Sequence, residues 1–163
     1  MKRRMFIFLM ITAFVVVLSS CQWFHHGPTI PEFTLQSVDS TTIIDTKNIP
    51  KGKPIIFVYF SPDCEHCQKQ TEEWIAHSDF IRSARFYFVS LDSLSRIRLF
   101  NDIYKIYKYP NIVLAKDNTY SFFNIYKPSG TPYLIVYDKE KMLRYVMPGG
   151  AKLDSLEYRI SQM

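Results

Sequence analysis

Cys64 and Cys67 lie three residues apart in the stretch S-P-D-C-E-H-C-Q of residues 61–68, with Glu65 and His66 between them. Two thiols at this spacing can form a redox couple, supply half of a metal site, or close a short structural disulfide. The last is the weakest use of them. A loop of ~4 residues constrains the unfolded chain by about 2 kcal/mol, against ~4.7 kcal/mol for a loop of 100 residues. A structural zinc site wants four ligands, and only three plausible ones, the two cysteines and a histidine, lie near one another in the chain. His25 and His26 fall in a solvated linker stretch, and His77 near the end of a helix reads as a surface residue.

A redox couple needs its first thiol activated. A cysteine at the start of a helix meets unsatisfied N–H groups and about half a positive charge, which stabilise its thiolate. Ile55 to Phe60 (I-I-F-V-Y-F) is a continuous apolar, β-rich run, the pattern of a strand buried on both faces. From Glu65 to His77 the composition turns helical. Cys64 therefore sits between a buried strand and a helix as the exposed nucleophile, and Cys67, a turn further in, as the shielded resolving thiol. In a βαβ context this reads as a thioredoxin-like motif.

Further along, Phe86 to Leu91 is a second buried strand. Ser93 to Tyr107 is an amphipathic helix with Ile97, Phe100, Tyr104 and Tyr107 on one face. Ile112 to Ala115 is a short extended piece and Thr119 to Tyr126 a short helix. Tyr133 to Tyr137 and Met142 to Val146 form a hairpin, Gly149 and Gly150 end the sheet, and Leu153 to Ile160 is a closing helix. Ahead of all this, Ile30 to Leu35 and Thr41 to Ile44 suggest a small β extension. Strands alternating with helices favour an α/β fold with a parallel core, to which the last hairpin adds an antiparallel edge.

The chain has 163 residues, enough for one domain, and its 47 % hydrophobic content supplies a core. The formal charge of +5 overstates its basicity. Met1-Lys2-Arg3-Arg4 and the apolar run Met5–Leu18 describe an export signal, because the run is too short for a bilayer-spanning helix. Removing residues 1–20 leaves 17 basic residues against 15 acidic ones, so the charge gives no argument for nucleic acid. Leu18-Ser19-Ser20-Cys21 resembles the lipobox of bacterial lipoproteins, which implies cleavage before Cys21 and acylation of its thiol. The resulting division is a signal peptide over 1–20, a tether over 21–29 and one domain over 30–163. It implies a bacterial cell-envelope protein, lipid-anchored to a membrane and facing the periplasm, where disulfides persist.

From Ile30 onward the chain resembles the thioredoxin superfamily, and within it the TlpA/ResA-like (AhpC/TSA-related) exported thiol–disulfide oxidoreductases. The likeness runs through P-E-F-T-L at 31–35, Cys64-Glu65-His66-Cys67, V-S-L-D at 89–92, G-T-P at 130–132 and V-Y-D at 136–138. It implies a thioredoxin-like fold, a central mixed β-sheet flanked by helices. It also implies a cis Pro132 facing the cysteines, with the backbone at Thr131 pairing with a substrate's extended segment. The expected activity is disulfide exchange with exported proteins, in the reductase direction, with a membrane redox partner and no cofactor. Three positions depart from relatives: Asp63 replaces a tryptophan, His66 a proline, and Val58 a buried acid. Gln70 stands where ResA-like proteins often carry a glutamate. A protonated His66 would stabilise the Cys64 thiolate, while Asp63 and Glu65 would oppose it. A peroxiredoxin-like peroxidase is the rival: Ser61 meets one of its requirements, but Phe57 stands where it needs proline. A metal-handling or catalytically silent module of the same fold is the remaining alternative.

Overall fold

The computed structural model describes residues 27–39 and 41–163. Cys21, His25, His26 and the expected signal segment lie outside them. The described chain runs β1 (Thr34–Ser37), β2 (Ile43–Asp45), β3 (Ile55–Tyr59), α1 (Glu65–Ala76), α2 (Ser78–Ser83), β4 (Arg85–Ser90) and α3 (Leu94–Tyr104). It continues through β5 (Ile112–Lys116), α4 (Ser121–Tyr126), β6 (Tyr133–Tyr137), β7 (Leu143–Pro148) and α5 (Leu153–Ser161). Short 3-10 turns stand at Thr46–Asn48 and Ile106–Lys108.

The seven strands form one mixed sheet in the order β2-β1-β5-β4-β3-β6-β7. The pairs β3–β4 and β4–β5 are parallel. β6 joins β3 antiparallel, β7 joins β6 antiparallel, and β1 and β2 add an antiparallel extension beside β5. This is the thioredoxin-like α/β architecture expected from the sequence.

Alternation along β3 sorts its side chains between two apolar layers. Ile56, Val58 and Phe60 face a layer containing Trp74 of α1, Phe80 of α2, Phe100 of α3 and Leu156 of α5. Ile55 and Phe57 face the opposite layer, with Phe33, Leu35 and Phe122 of α4. Phe57 is the hub of that second layer, with ring centroids of Phe33, Tyr87, Phe122, Tyr126 and Tyr137 between 5.4 and 6.4 Å away. Cys64 and Cys67 belong to the first layer, so Phe57 points away from them across the sheet.

Four local expectations change. The first strand begins at Thr34 rather than Ile30, after Pro31 has interrupted the ladder. The piece at 112–115 is a full strand of the parallel core. A separate helix, α2, follows α1 after His77 takes a non-helical conformation (φ −109°, ψ 80°). The helix expected to reach Tyr107 stops at Tyr104, because Lys105 adopts a left-handed conformation (φ 52°). Tyr107 therefore leaves the apolar stripe and is 63 % exposed, while Ile97 and Phe100 stay buried.

Candidate redox site

The end of β3 leads through Phe60, Ser61, Pro62 and Asp63 to Cys64, the N-cap of α1. Cys64 has an extended backbone (φ −75°, ψ 110°), and its sulfur accepts from the Cys67 N–H at 3.4 Å. A cap of this kind meets one of the orphan donors of the first turn, and here the capping atom is the nucleophile itself. Cys64 is half-buried, Cys67 is 2 % exposed, and both are free thiols.

The two thiols are pushed apart. For Cys64, burial would raise the value, but hydrogen bonds from the Cys67 thiol and the Thr131 side chain, and the N–H groups of Cys67 and His66, outweigh it and hold the thiol below 9.0. For Cys67, burial comes first and its hydrogen bond to Cys64 second, and together they push it up to about 12. The half-buried thiol gives up its proton more easily than the buried one beneath it.

Opposite the pair lies the peptide Thr131–Pro132, which is cis. The Cys64 thiol donates to the Thr131 carbonyl at 3.4 Å. Pro132 is buried and its carbonyl accepts from the Gly149 N–H at 2.9 Å, which fixes the loop against the end of β7.

Each carboxylate flanking the cysteines has a cationic neighbour. Asp63 pairs with Arg96, and Glu65 with Lys69 one helical turn on at 2.6 Å. Their opposition to a Cys64 thiolate is thereby weakened. His66 is exposed and lines a cavity of about 510 Å³ with Lys69, Gln70, Pro132, Gly150 and Lys152. Gln70 bridges helix α1 to the last loop, Nε2 donating to the Ala151 carbonyl at 2.8 Å, while its Oε1 is buried without a partner. Glu72 and Glu73 are exposed, and Val58 is buried in the core.

Asp92 and Arg96, which no local pattern singles out, complete the site. Asp92, half-buried after β4, accepts from Ser61 Oγ at 2.9 Å and Ser90 Oγ at 3.0 Å. Arg96 on the first turn of α3 binds both Asp92, at 3.0 Å, and Asp63. Asp92 was visible only as the last letter of V-S-L-D. Its meaning depends on β4 lying beside β3, which no local pattern encodes. Among the described residues no three His, Cys, Asp or Glu side chains converge as a metal site would need, and His77 Nδ1 contacts the Glu73 carbonyl at 2.7 Å.

Solved structures share this fold. A secreted disulfide oxidoreductase from Mycobacterium tuberculosis, homologous to E. coli DsbE, superposes with a TM-score of 0.65 at 16 % identity, covering 80 % of this chain and 96 % of that one. The pneumococcal exposed lipoprotein thioredoxin Etrx1 of Streptococcus pneumoniae gives 0.61 at 19 % identity, over 82 % and 100 %. A peroxiredoxin-like protein from Aquifex aeolicus gives 0.65 at 17 % identity, over 85 % and 87 %. No curated protein sequence matches the chain. A family model described as a thioredoxin-like domain matches residues 45–163, from the end of β2 through both cysteines to α5, and by that match the chain belongs to the thioredoxin-like family.

Proposed function

We propose that the chain is a thiol–disulfide oxidoreductase acting on exported proteins, and that Cys64 and Cys67 are its catalytic pair. The observation that carries this reading is the opposed tuning of two adjacent thiols, Cys64 lowered at a helix N-terminus and Cys67 raised beneath it. In the reductase direction the Cys64 thiolate attacks one sulfur of a substrate disulfide. A mixed disulfide forms, and the other substrate sulfur leaves as a thiolate and takes up a proton. Cys67 then gives up its proton and attacks Cys64, releasing the second substrate thiol. Two electrons have passed from the pair to the substrate, and the Cys64–Cys67 disulfide must be reduced by a dithiol partner at the membrane.

Thr131 and Pro132 orient the substrate segment, with the Thr131 carbonyl holding Cys64 until attack. His66, Glu65 and Asp63 tune the pair, though the ion pairs to Lys69 and Arg96 mute the two carboxylates. Placement in a bacterial envelope rests on the export signal over 1–20 and on Cys21 as the acylated residue at the head of a tether over 21–29. No helix among the described residues is long and apolar enough to cross a membrane. The peroxidase alternative is disfavoured by Phe57, whose ring is fixed in the layer across the sheet from the cysteines.

Cys67→Ser, expressed in the native envelope, should accumulate mixed disulfides between Cys64 and partner proteins. Recovery of none, with the variant folded, would count against the reading. A glutathione titration of the pair then gives the direction: a potential near −270 mV marks an electron donor, and one above about −180 mV a disulfide donor.

A further inference from the structure

The described chain begins at Gly27, six residues after Cys21, and it meets the domain at one end of the sheet. The Leu143 N–H donates to the Pro28 carbonyl at 2.9 Å, and Thr29 forms a bridge with Met142. Gly27 lies so close to the Leu143 carbonyl that a Cβ there would come within 2.5 Å of its oxygen. The chain is thus stitched to the start of β7, beside the β6–β7 turn. In the register of the sheet, the starts of β3 and β4 share this end, whereas their C-terminal ends lead to the cysteines.

Unmatched cations gather at the tethered end. Its loops and helix α2, within residues 50–54, 79–85 and 138–142, carry Lys51, Lys53, Arg82, Arg85, Lys139 and Lys141. They are knit together: the Gly52 N–H donates to the Lys139 carbonyl at 2.9 Å, Lys53 Nζ to the Arg82 carbonyl at 2.8 Å, and Arg85 to the Pro50 carbonyl at 3.1 Å. Of the three acids in these loops, Asp79 pairs with Arg82, and Asp138 is 1 % exposed and bound by Arg144. Glu140 alone remains among the cations as an exposed acid of the turn. Lys141, whose Nζ donates to the Lys47 carbonyl at 3.1 Å, is held below its ordinary value by burial and then by the neighbouring Lys51 charge, against the attraction of Asp45. At the cysteine end Asp63 and Asp92 are paired with Arg96 and Glu65 with Lys69, so cations and acids are there matched side by side.

We propose that the basic end is a docking surface for anionic lipid headgroups, which seats the domain on its membrane with Cys64 and Cys67 directed away from it. The proposal rests on the reading of Cys21 as a lipid anchor. Six residues reach at most about 20 Å, so the tether keeps the basic end near the bilayer but does not orient the domain. Orientation needs a contact acting within the Debye length of about 8 Å, and each Lys or Arg brought to an anionic surface adds to it. Strands of five to six residues then lift Cys64 roughly 20 Å above the headgroups. Its partners must reach it from the aqueous side. An anionic protein partner could match the same charge, but the tether attaches at this end and delivers a membrane to it.

The test uses the full mature chain, purified with its N-terminus intact and reconstituted into vesicles of phosphatidylcholine alone or with added phosphatidylglycerol. Surface lysines are labelled with a membrane-impermeant amine reagent and read by mass spectrometry. Labelling of Lys51, Lys139 and Lys141 should fall about threefold or more in the anionic vesicles and recover in high salt, with Lys69 and Lys152 near the cysteines unchanged. Equal labelling in both vesicles, or protection of Lys69 and Lys152 instead, overturns the proposal. The mass of the N-terminal peptide separates the two readings. If it lacks the acyl group the anchor fails, and the same lysine protection, measured with the chain added to preformed anionic vesicles, still decides the surface.

Discussion

The Ser61 hydroxyl donates to the Asp92 carboxylate over 2.9 Å, joining the turn that carries both cysteines to the end of β4. Ser61 also accepts the Cys64 N–H at its carbonyl, at 3.1 Å, and its own N–H reaches the Cys67 sulfur. One residue therefore holds the backbone of the nucleophile and the sulfur of the resolving thiol, and Asp92 holds that residue. Ser61→Ala should lower stability by about 1 kcal/mol, the net worth of one such bond. Asp92→Ala should cost more, about 1–3 kcal/mol, because it strands Ser61 and Ser90 together. Urea unfolding of the reduced proteins measures both as a lower midpoint with an unchanged slope. An unchanged midpoint in both variants would mean that the turn holds itself.

Cys67 makes the reduced protein sensitive to alkali. Its value rises from 9.0 in the free thiol to about 12 in the fold, so above 9 the unfolded chain releases a proton that the folded chain keeps. Stability contributed by this group is full below pH 9 and declines as pH climbs from 9 towards 12. At pH 10 the loss is about 1 kcal/mol. Cys67→Ser should remove that part of the slope between pH 8 and 10 in denaturant titrations. A wild-type slope that persists in the variant would assign it to other groups.

Arg96 neutralises the carboxylate immediately before the nucleophile. Arg96→Gln frees Asp63, whose charge then opposes the Cys64 thiolate. Both side chains are substantially exposed, so the change is small, about twofold in the rate of Cys64 alkylation at neutral pH. High salt should erase the difference, since it screens an exposed charge. Asp63→Asn in the same background should restore the rate. A slow rate that salt and Asp63→Asn leave untouched would point to a displaced α3.

The residues that the sequence made legible are those whose meaning is local. The buried run 55–60, the helix opening at Glu65 and the two cysteines at its start are neighbours in the chain, and the structure sets them as the spacing requires. The Thr131–Pro132 peptide came only through resemblance, because Thr131 is 67 residues from Cys64 in the chain and is brought opposite it by β6 pairing with β3. Asp92 and Arg96 were hidden for the same reason: a polar residue after a strand and a basic one on a helix read as solvated surface until β4 is laid beside β3. The end of α3 was misjudged because the apolar periodicity continues to Tyr107, while the chain leaves the helix at Lys105. Periodicity records which side chains could share a face, and nothing in it marks where the backbone turns.

Gly149 and Gly150 permit a test of how closely the Pro132 loop is supported. Both take positive φ, +78° and +86°, so an alanine at either incurs a backbone cost of about 1–2 kcal/mol. They differ in what a Cβ would meet. At Gly149 nothing lies within 4 Å. At Gly150 the new atom would approach Gln70 Nε2 at 2.9 Å and Pro132 Cγ at 3.0 Å. The Gln70 amide is engaged with the Ala151 carbonyl and the proline ring is buried, so neither yields without shifting the loop that faces Cys64. Gly149→Ala should therefore lose stability with disulfide-exchange kinetics intact. Gly150→Ala should lose more stability and also slow exchange, with the Cys64 alkylation rate held near wild type. Gln70→Ala in the Gly150→Ala background should recover part of both, because it removes the nearer obstacle. If the two alanine variants behave alike in unfolding and in exchange, the contact between the last loop and Pro132 contributes nothing to how substrates are held.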